Sequence, residues 1–353
     1  MILLLPLPAN KAYACAVLIW LSLITFAVLG GADFGGGIWD LFSLGPQQDD
    51  KRRLIVNALG PVWEANNVWL IYLVVGLYTA FPLVAATLAT ALFIPFSLAL
   101  IGVVLRGASF AFRTHFGNSV MLKEAWGRAF GMASMLTPFL FGTCAAAVAS
   151  GQIRVQNGAS PVALFHPWLT PFALVVGAMA LALCATLAPI YLTVEAQQAK
   201  NEKLANTFRT RAFIGGGFLA VLGLAGLALA PAEAPLLWHG MLDHALWAVA
   251  LTMLIGLATA AALFFRRFRM ARILIVLETG AFLGSWGLAQ LPYIIPPDLT
   301  VTNAASPPTT LRAFFITALI GMLVLIPSLW FLFHVFKAQQ SVPPVHEKEV
   351  QGV

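Results

Sequence analysis

The sequence predicts an all-α polytopic membrane protein of about nine transmembrane helices, arranged as two four-helix bundles plus one peripheral helix. Composition is the first observation behind this: 60% of the 353 residues are hydrophobic and 10% charged, with a mean hydropathy of +0.88, whereas soluble domains carry roughly one-quarter charged residues. Length is the second. A span needs about 20 apolar residues, and such runs recur at 13–36, 54–78, 82–105, 126–150, 167–194, 211–231, 242–265, 271–293 and 313–336. Charge placement is the third. Connections after the first, third, fifth and seventh runs, with the C-terminal tail, hold 17 of the 20 Lys and Arg residues, leaving Lys11, Arg154 and Arg312 for the other side. By the positive-inside rule the N-terminus is then outside and the C-terminus cytoplasmic. The +6 net charge is therefore a topology signal and not a nucleic-acid surface.

The apolar start, Met1 to Pro8, lacks a basic head and contains two prolines, so the first run is expected to act as its own insertion signal. A polar outer loop at 151–166 separates four spans from five. This gives an N-terminal bundle at 1–152 and a C-terminal bundle with the ninth helix at 153–338. The tail at 339–353, with Pro343 and Pro344, is expected to be disordered and cytoplasmic. The proline-rich stretch 293–312 reads as a rigid, non-helical outer loop.

The first span contains Gly30-Gly-Ala-Asp-Phe-Gly-Gly-Gly-Ile-Trp-Asp40. Small residues at this density let helices approach closely. Asp33 shares a helix face with Ser22, and as an acid in an apolar helix it is a candidate for proton traffic. Asp40 stands close enough to the following loop to act as an end residue. In the second span Asn57, Pro61, Glu64 and Asn67 recur at spacings of 4, 3 and 3, one polar face on a single helix. Trp63 and Trp69 flank it. Pro61 removes a backbone donor and frees the Asn57 carbonyl. Glu64 falls about 15 Å into the membrane, where an ionisable group costs on the order of 2 to 3 kcal/mol and normally serves proton or ion movement. Glu278 in the eighth span lies at similar depth without flanking amides, a weaker candidate.

The histidines, His115, His166, His239, His244, His334 and His346, all fall near membrane surfaces or in the tail. No pair of axial haem ligands is therefore expected at mid-depth. Cys15, Cys144 and Cys184 lie in apolar runs without CxxC spacing, which points away from disulfides and zinc. No metal site is expected.

Three motifs occur in an order and spacing that resemble subunit II of cytochrome bd quinol oxidase: Gly31-Ala-Asp-Phe-Gly-Gly-Gly, Gly60-Pro-Val-Trp-Glu-Ala-Asn-Asn-Val-Trp-Leu-Ile and Trp286-Gly-Leu-Ala-Gln-Leu-Pro-Tyr-Ile-Ile-Pro-Pro-Asp-Leu-Thr. The similarity runs from about residue 12 to 338. It implies a heterodimer with a homologous subunit I that holds haem b, haem d and most of the quinol site, so that no cofactor is ligated by this chain. It implies reduction of oxygen to water by ubiquinol or menaquinol, with protons taken from the cytoplasm. The family also admits small accessory subunits and a structural quinone or membrane lipid in subunit II. Carried over residue by residue, the resemblance puts Glu64 on a proton route and matches Asp33 to the second acid of a family pattern; Asn57 and Asn67, on the polar face with Glu64, are read as part of the same route. Trp69, with Trp63, falls at the lateral oxygen access. The first acid of the family's Asp-Gly-Phe-Asp pattern is Gly30 here, so a relay using both acids cannot run unchanged. A proton-coupled transporter, with paired midplane groups from both halves, and a purely structural scaffold are the competing expectations.

Overall fold

The computed structural model describes residues 7–43, 48–59, 63–115, 120–155 and 166–340. Helix α1 (Leu7–Leu41) is followed by α2 (Gln48–Leu59), α3 (Trp63–Ala80), α4 (Pro82–Ala91), α5 (Phe93–His115), α6 (Val120–Ala149), α7 (Pro171–Gln198) and α8 (Glu202–Glu233). A short α9 (Pro235–Gly240) leads through a π-helical turn (Met241–Ala245) into α10 (Leu246–Phe264) and α11 (Phe268–Gln290). The hairpin strands β1 (Tyr293–Ile295) and β2 (Leu299–Thr300) then precede α12 (Pro308–Gln340). Among the described residues eight helices are long and apolar enough to cross a membrane, or nine if the bent α3–α4 pair forms one crossing.

Two of the expected spans have different bounds. The run 54–78 is described as two helices, α2 to Leu59 and α3 from Trp63, with 60–62 outside the described residues. Polar α2 opens with Asp49 and Asp50, acids that suit a helix N-terminus. The run 82–105 is divided as well, at Leu92 between α4 and α5; ahead of it α4 turns by 118° from α3, with Pro82 at its first turn, where a missing N–H costs nothing. The following helix therefore runs on to His115 and carries Arg106 inside it. The sequence placed Arg106 in a cytoplasmic connection.

Helix α1 is the hub. It packs against α3, α6 and α7, with α11 and α12 also in contact, so it joins elements from both halves of the chain. Closest approach comes at α7: a Cβ on Gly35 would overlap the Cys184 carbonyl, and one on Gly31 would meet Leu187 at 2.9 Å. Small residues here let the two backbones touch. Trp39 fixes the same crossing by donating from Nε1 to the Ala185 carbonyl at 2.8 Å. Arg211 of α8 closes the end of α1, donating to the Phe42 carbonyl at 3.2 Å and to Ser43 Oγ at 3.3 Å. Its guanidinium lies 4.9 Å from the Trp39 ring centroid, a cation held at a helix C-terminus as the dipole favours. Helix α12, by contrast, is exposed along most of its described span.

The stretch after α11 is a tight antiparallel hairpin pairing Tyr293 with Thr300, and α12 begins at Pro308, earlier than expected. Asp298 latches this hairpin to the loop after α6. Its carboxylate accepts from Arg154 Nε at 3.0 Å and Nη2 at 3.1 Å, and from the Val155 N–H at 2.8 Å. Partial burial pushes the carboxyl up, but the bonds from Arg154 and Val155 outweigh it and hold Asp298 below the usual carboxylate range. A carboxyl with a lowered folded value stabilises the latch fully above about pH 4, the ordinary aspartate value. That stabilisation is lost as pH falls through the lower folded value. Hydrogen exchange of the Val155 amide should therefore stay slow from pH 7 to about 4 in the wild type and be fast throughout in Asp298→Asn, after correction for intrinsic exchange.

Candidate functional site

The polar face of α1 holds Ser22, Asp33 and Asp40, and the structure buries all three at 0%, 4% and 2% exposure. Asp33 meets Arg106 of α5, itself 5% exposed. Arg106 Nη2 donates to the Asp33 carboxylate and to the Asp33 backbone carbonyl, the latter at 3.3 Å. Its Nε donates to Ser134 Oγ of α6 at 3.2 Å, and that hydroxyl donates to the Phe130 carbonyl at 2.7 Å. The Phe34 and Phe130 ring centroids each lie 5.0 Å from the guanidinium carbon. An ion pair out of water persists only when its remaining donors are satisfied, and here carbonyl, hydroxyl and two aromatic faces do so. Gly37 makes room for this: a Cβ there would overlap Ser134. Asp40 pairs with Arg52 of α2 at 3.7 Å, an end contact, as its place near the loop suggests.

A second set of polar contacts joins α1 to α3. Ser22 Oγ donates to the Trp69 carbonyl at 2.7 Å, and Asn66 Nδ2 donates to the Leu29 carbonyl at 3.3 Å. Asn66 is 3% and Trp69 9% exposed. Asn66 Oδ1, Trp69 Nε1 and the Tyr72 hydroxyl are buried without a protein partner among the described residues. Leaving one such atom unsatisfied costs about 1 to 3 kcal/mol.

The sequence candidates therefore divide. Asp33 stands in a buried ionic cluster, and Trp69 faces α1 in the core beside Phe26, Phe34 and Cys184. The side chains of Glu64 and Trp63, like Pro61, lie outside the described residues, as do residues 156–165 and the tail from 341. Asn57 is exposed on α2, and Asn67 is half-buried on α3. They lie on separate described helices, α2 and α3. The buried amide is Asn66, which the wheel drawn through Asn57 passed over. A wheel started at Trp63 would have put residue 66 beside Trp69, three positions on. Arg106 was also missed, although the apolar stretch Gly107-Ala-Ser-Phe-Ala-Phe after it is the signal that its helix continues.

Glu278 belongs to a different place. It is half-buried on α11 and faces Gly256 of α10, where a Cβ would come within 3.0 Å of Oε1; the Thr259 hydroxyl is in reach. An apolar cleft of about 2690 Å³, lined also by Trp20, Met253 and Trp286, opens beside it. Three histidines are engaged near helix ends and loops: His239 with the Pro235 carbonyl at 2.7 Å, His244 with the Leu288 carbonyl at 3.0 Å and His166 with Gln152 at 3.2 Å. No group of three or more His, Cys, Asp or Glu side chains able to hold a metal ion occurs among the described residues.

Comparison with known proteins agrees with this arrangement. The family model for cytochrome bd terminal oxidase subunit II matches residues 12–336. A Bacillus subtilis protein assigned as cytochrome bd menaquinol oxidase subunit II is 25% identical over 93% of this chain and 96% of its own. The cytochrome bd-I ubiquinol oxidase subunit 2 of Escherichia coli K12 is 27% identical over 50% of this chain and 46% of its own. The fold resembles a chain in the structure of bd oxidase from Geobacillus thermodenitrificans, with a TM-score of 0.79, 23% identity and coverage of 93% of this chain and 98% of that one. With a buried Asp-Arg cluster on a glycine-rich first helix, a tryptophan-flanked amide pair on the next crossing and a family match over nearly its whole length, the chain belongs to the cytochrome bd terminal oxidase subunit II family.

Proposed function

We propose that this chain is the second subunit of a quinol:oxygen oxidoreductase in the bacterial inner membrane, paired with a homologous subunit I that carries the haems and most of the quinol site. It supports that subunit and gives cytoplasmic protons a path toward the oxygen-reducing centre. The observation that carries this reading is the buried Asp33–Arg106–Ser134 cluster, because a charged group in the membrane interior normally faces protein or water and serves proton or ion movement. Glu64, at the start of α3 by sequence, is the titratable group on the cytoplasmic side of that helix, and Asn57 and Asn67 flank it. Gly30 stands where relatives carry a first acid, so in this chain the route passes through Asp33 alone on α1. Trp69, with Trp63, lies at the oxygen access in this reading. With Arg106 inside α5, the other basic residues still divide 16 to 3, which supports an outside N-terminus and a cytoplasmic C-terminus.

A transporter reading draws on Glu278, a second-half carboxylate to set against Asp33 of the first half. Copurification separates the two. Affinity capture of the full chain from native membranes should bring down a larger membrane subunit and a visible haem spectrum, while the chain expressed and purified alone should show no stoichiometric Soret band. Capture of the chain alone, binding a solute and carrying no haem partner, would favour the transporter.

A further inference from the structure

Three buried polar atoms without a protein partner fall at every third residue of α3: Asn66 Oδ1, Trp69 Nε1 and Tyr72 OH. They occupy one sector of the helix and span about 9 Å along its axis. That sector is turned toward α1, because Asn66 donates to the Leu29 carbonyl and the Trp69 carbonyl accepts from Ser22. Their chemistry runs acceptor, donor, then a hydroxyl that does either. Groups in that order can be joined by water, which takes two to four polar partners when buried. Trp69 differs in this from other indoles of the chain: Trp20, Trp39 and Trp247 give their N–H to the carbonyls of Leu283, Ala185 and His244. Asn66 is also next to the ionic cluster, since Leu29 precedes Asp33 by four residues, one helical turn.

We propose that the seam between α1 and α3 holds a short file of internal water molecules running from Asn66 past Trp69 to Tyr72, with Asn66 as its positioning residue. The file continues the proton route from the Asp33–Arg106 cluster. That second statement rests on the proton-access reading above; the presence of the water does not.

Hydroxyl-radical footprinting by X-ray radiolysis on the intact oxidase complex tests it, because radiolysis of a bound water labels the side chains beside it even when they are buried. Trp69 and Tyr72 should be oxidised in the wild type. Asn66→Leu should lower Trp69 oxidation by about tenfold by removing a water partner, while Trp20 and Trp39 keep their wild-type rates. Tyr72→Phe, which keeps the ring packed on Phe314, should lower Trp69 oxidation as well and serves if Asn66→Leu does not assemble. Wild-type Trp69 that stays unlabelled, or labelling that neither substitution changes, overturns the water file. Turnover separates the second statement: Asn66→Leu should slow quinol-driven oxygen consumption per haem by about tenfold and raise its solvent deuterium isotope effect, as expected when a water-mediated proton step is impaired. Labelling lost with turnover and isotope effect unchanged would uphold the water file and overturn its part in proton delivery.

Discussion

Replacing Arg106 with leucine should remove most of the assembled protein, and replacing Asp33 with leucine in the same chain should restore it. In the single variant the Asp33 carboxylate, 4% exposed, loses its charged partner inside the membrane. Breaking a buried pair from one side costs about 3 to 5 kcal/mol, whereas exchanging both partners for apolar groups is often neutral or stabilising. Ser134 also loses the donor at 3.2 Å but keeps its own bond to Phe130. The Phe34 and Phe130 rings that sandwich the guanidinium can close on a leucine. A double-mutant cycle on the melting temperature of the detergent-solubilised complex measures this coupling. Equal losses in the two single variants that simply add in the double would show that the pair contributes little. If Asp33 carries protons, the double variant assembles but turns over slowly, which separates the structural part of the cluster from its chemistry.

The second large effect lies at the α1–α7 crossing. Gly35→Ala adds a methyl group that would overlap the Cys184 carbonyl and approach the Ala188 Cβ to 2.7 Å. A backbone carbonyl cannot rotate out of the way, so the helices must separate. Overpacking of this kind typically costs 1 to 3 kcal/mol and sometimes more, and here it also strains the bond from Trp39 to Ala185. Gly217→Ala is the control, since nothing lies within 4 Å of the added atom; within a helix it should gain up to about 1 kcal/mol. Accumulation of assembled complex should fall several-fold for the first and match the wild type for the second. Equal accumulation of both would show that close helix contact at Gly35 is not required.

Much of the fold is legible in the sequence because hydrophobic length and charge bias are set by the bilayer and not by tertiary contacts. The apolar runs and the proline-rich turn after α11 follow from local chemistry. What was not legible depends on where helices break. A hydropathy window sees residues 82–105 as one span, yet α4 ends at Ala91 and a new helix runs from Phe93 to His115, which moves Arg106 from a loop into the core. Likewise, a helical wheel carried from Asn57 through Pro61 assumes a continuous helix, and it selects Asn67 where the structure buries Asn66. Asp33 was found because an acid among glycines in an apolar helix stands out without knowledge of any partner. Arg106 was not, because an arginine at the end of an apolar run has the same local appearance whether it faces water or an aspartate.

Glu64 remains the most direct test of proton delivery through this subunit. The measurement is quinol-driven oxygen consumption per assembled haem in Glu64→Gln and Glu64→Asp complexes. Glutamine keeps the shape and hydrogen bonding of the side chain but cannot ionise, so Glu64→Gln should assemble with full haem content and lose most of its turnover, on the order of 10²-fold for loss of a positioned proton-transfer group. Glu64→Asp, which retains a carboxylate, should keep much of the activity. A Glu64→Gln complex that assembles normally and consumes oxygen at the wild-type rate would contradict the account and leave this chain as a scaffold for its partner.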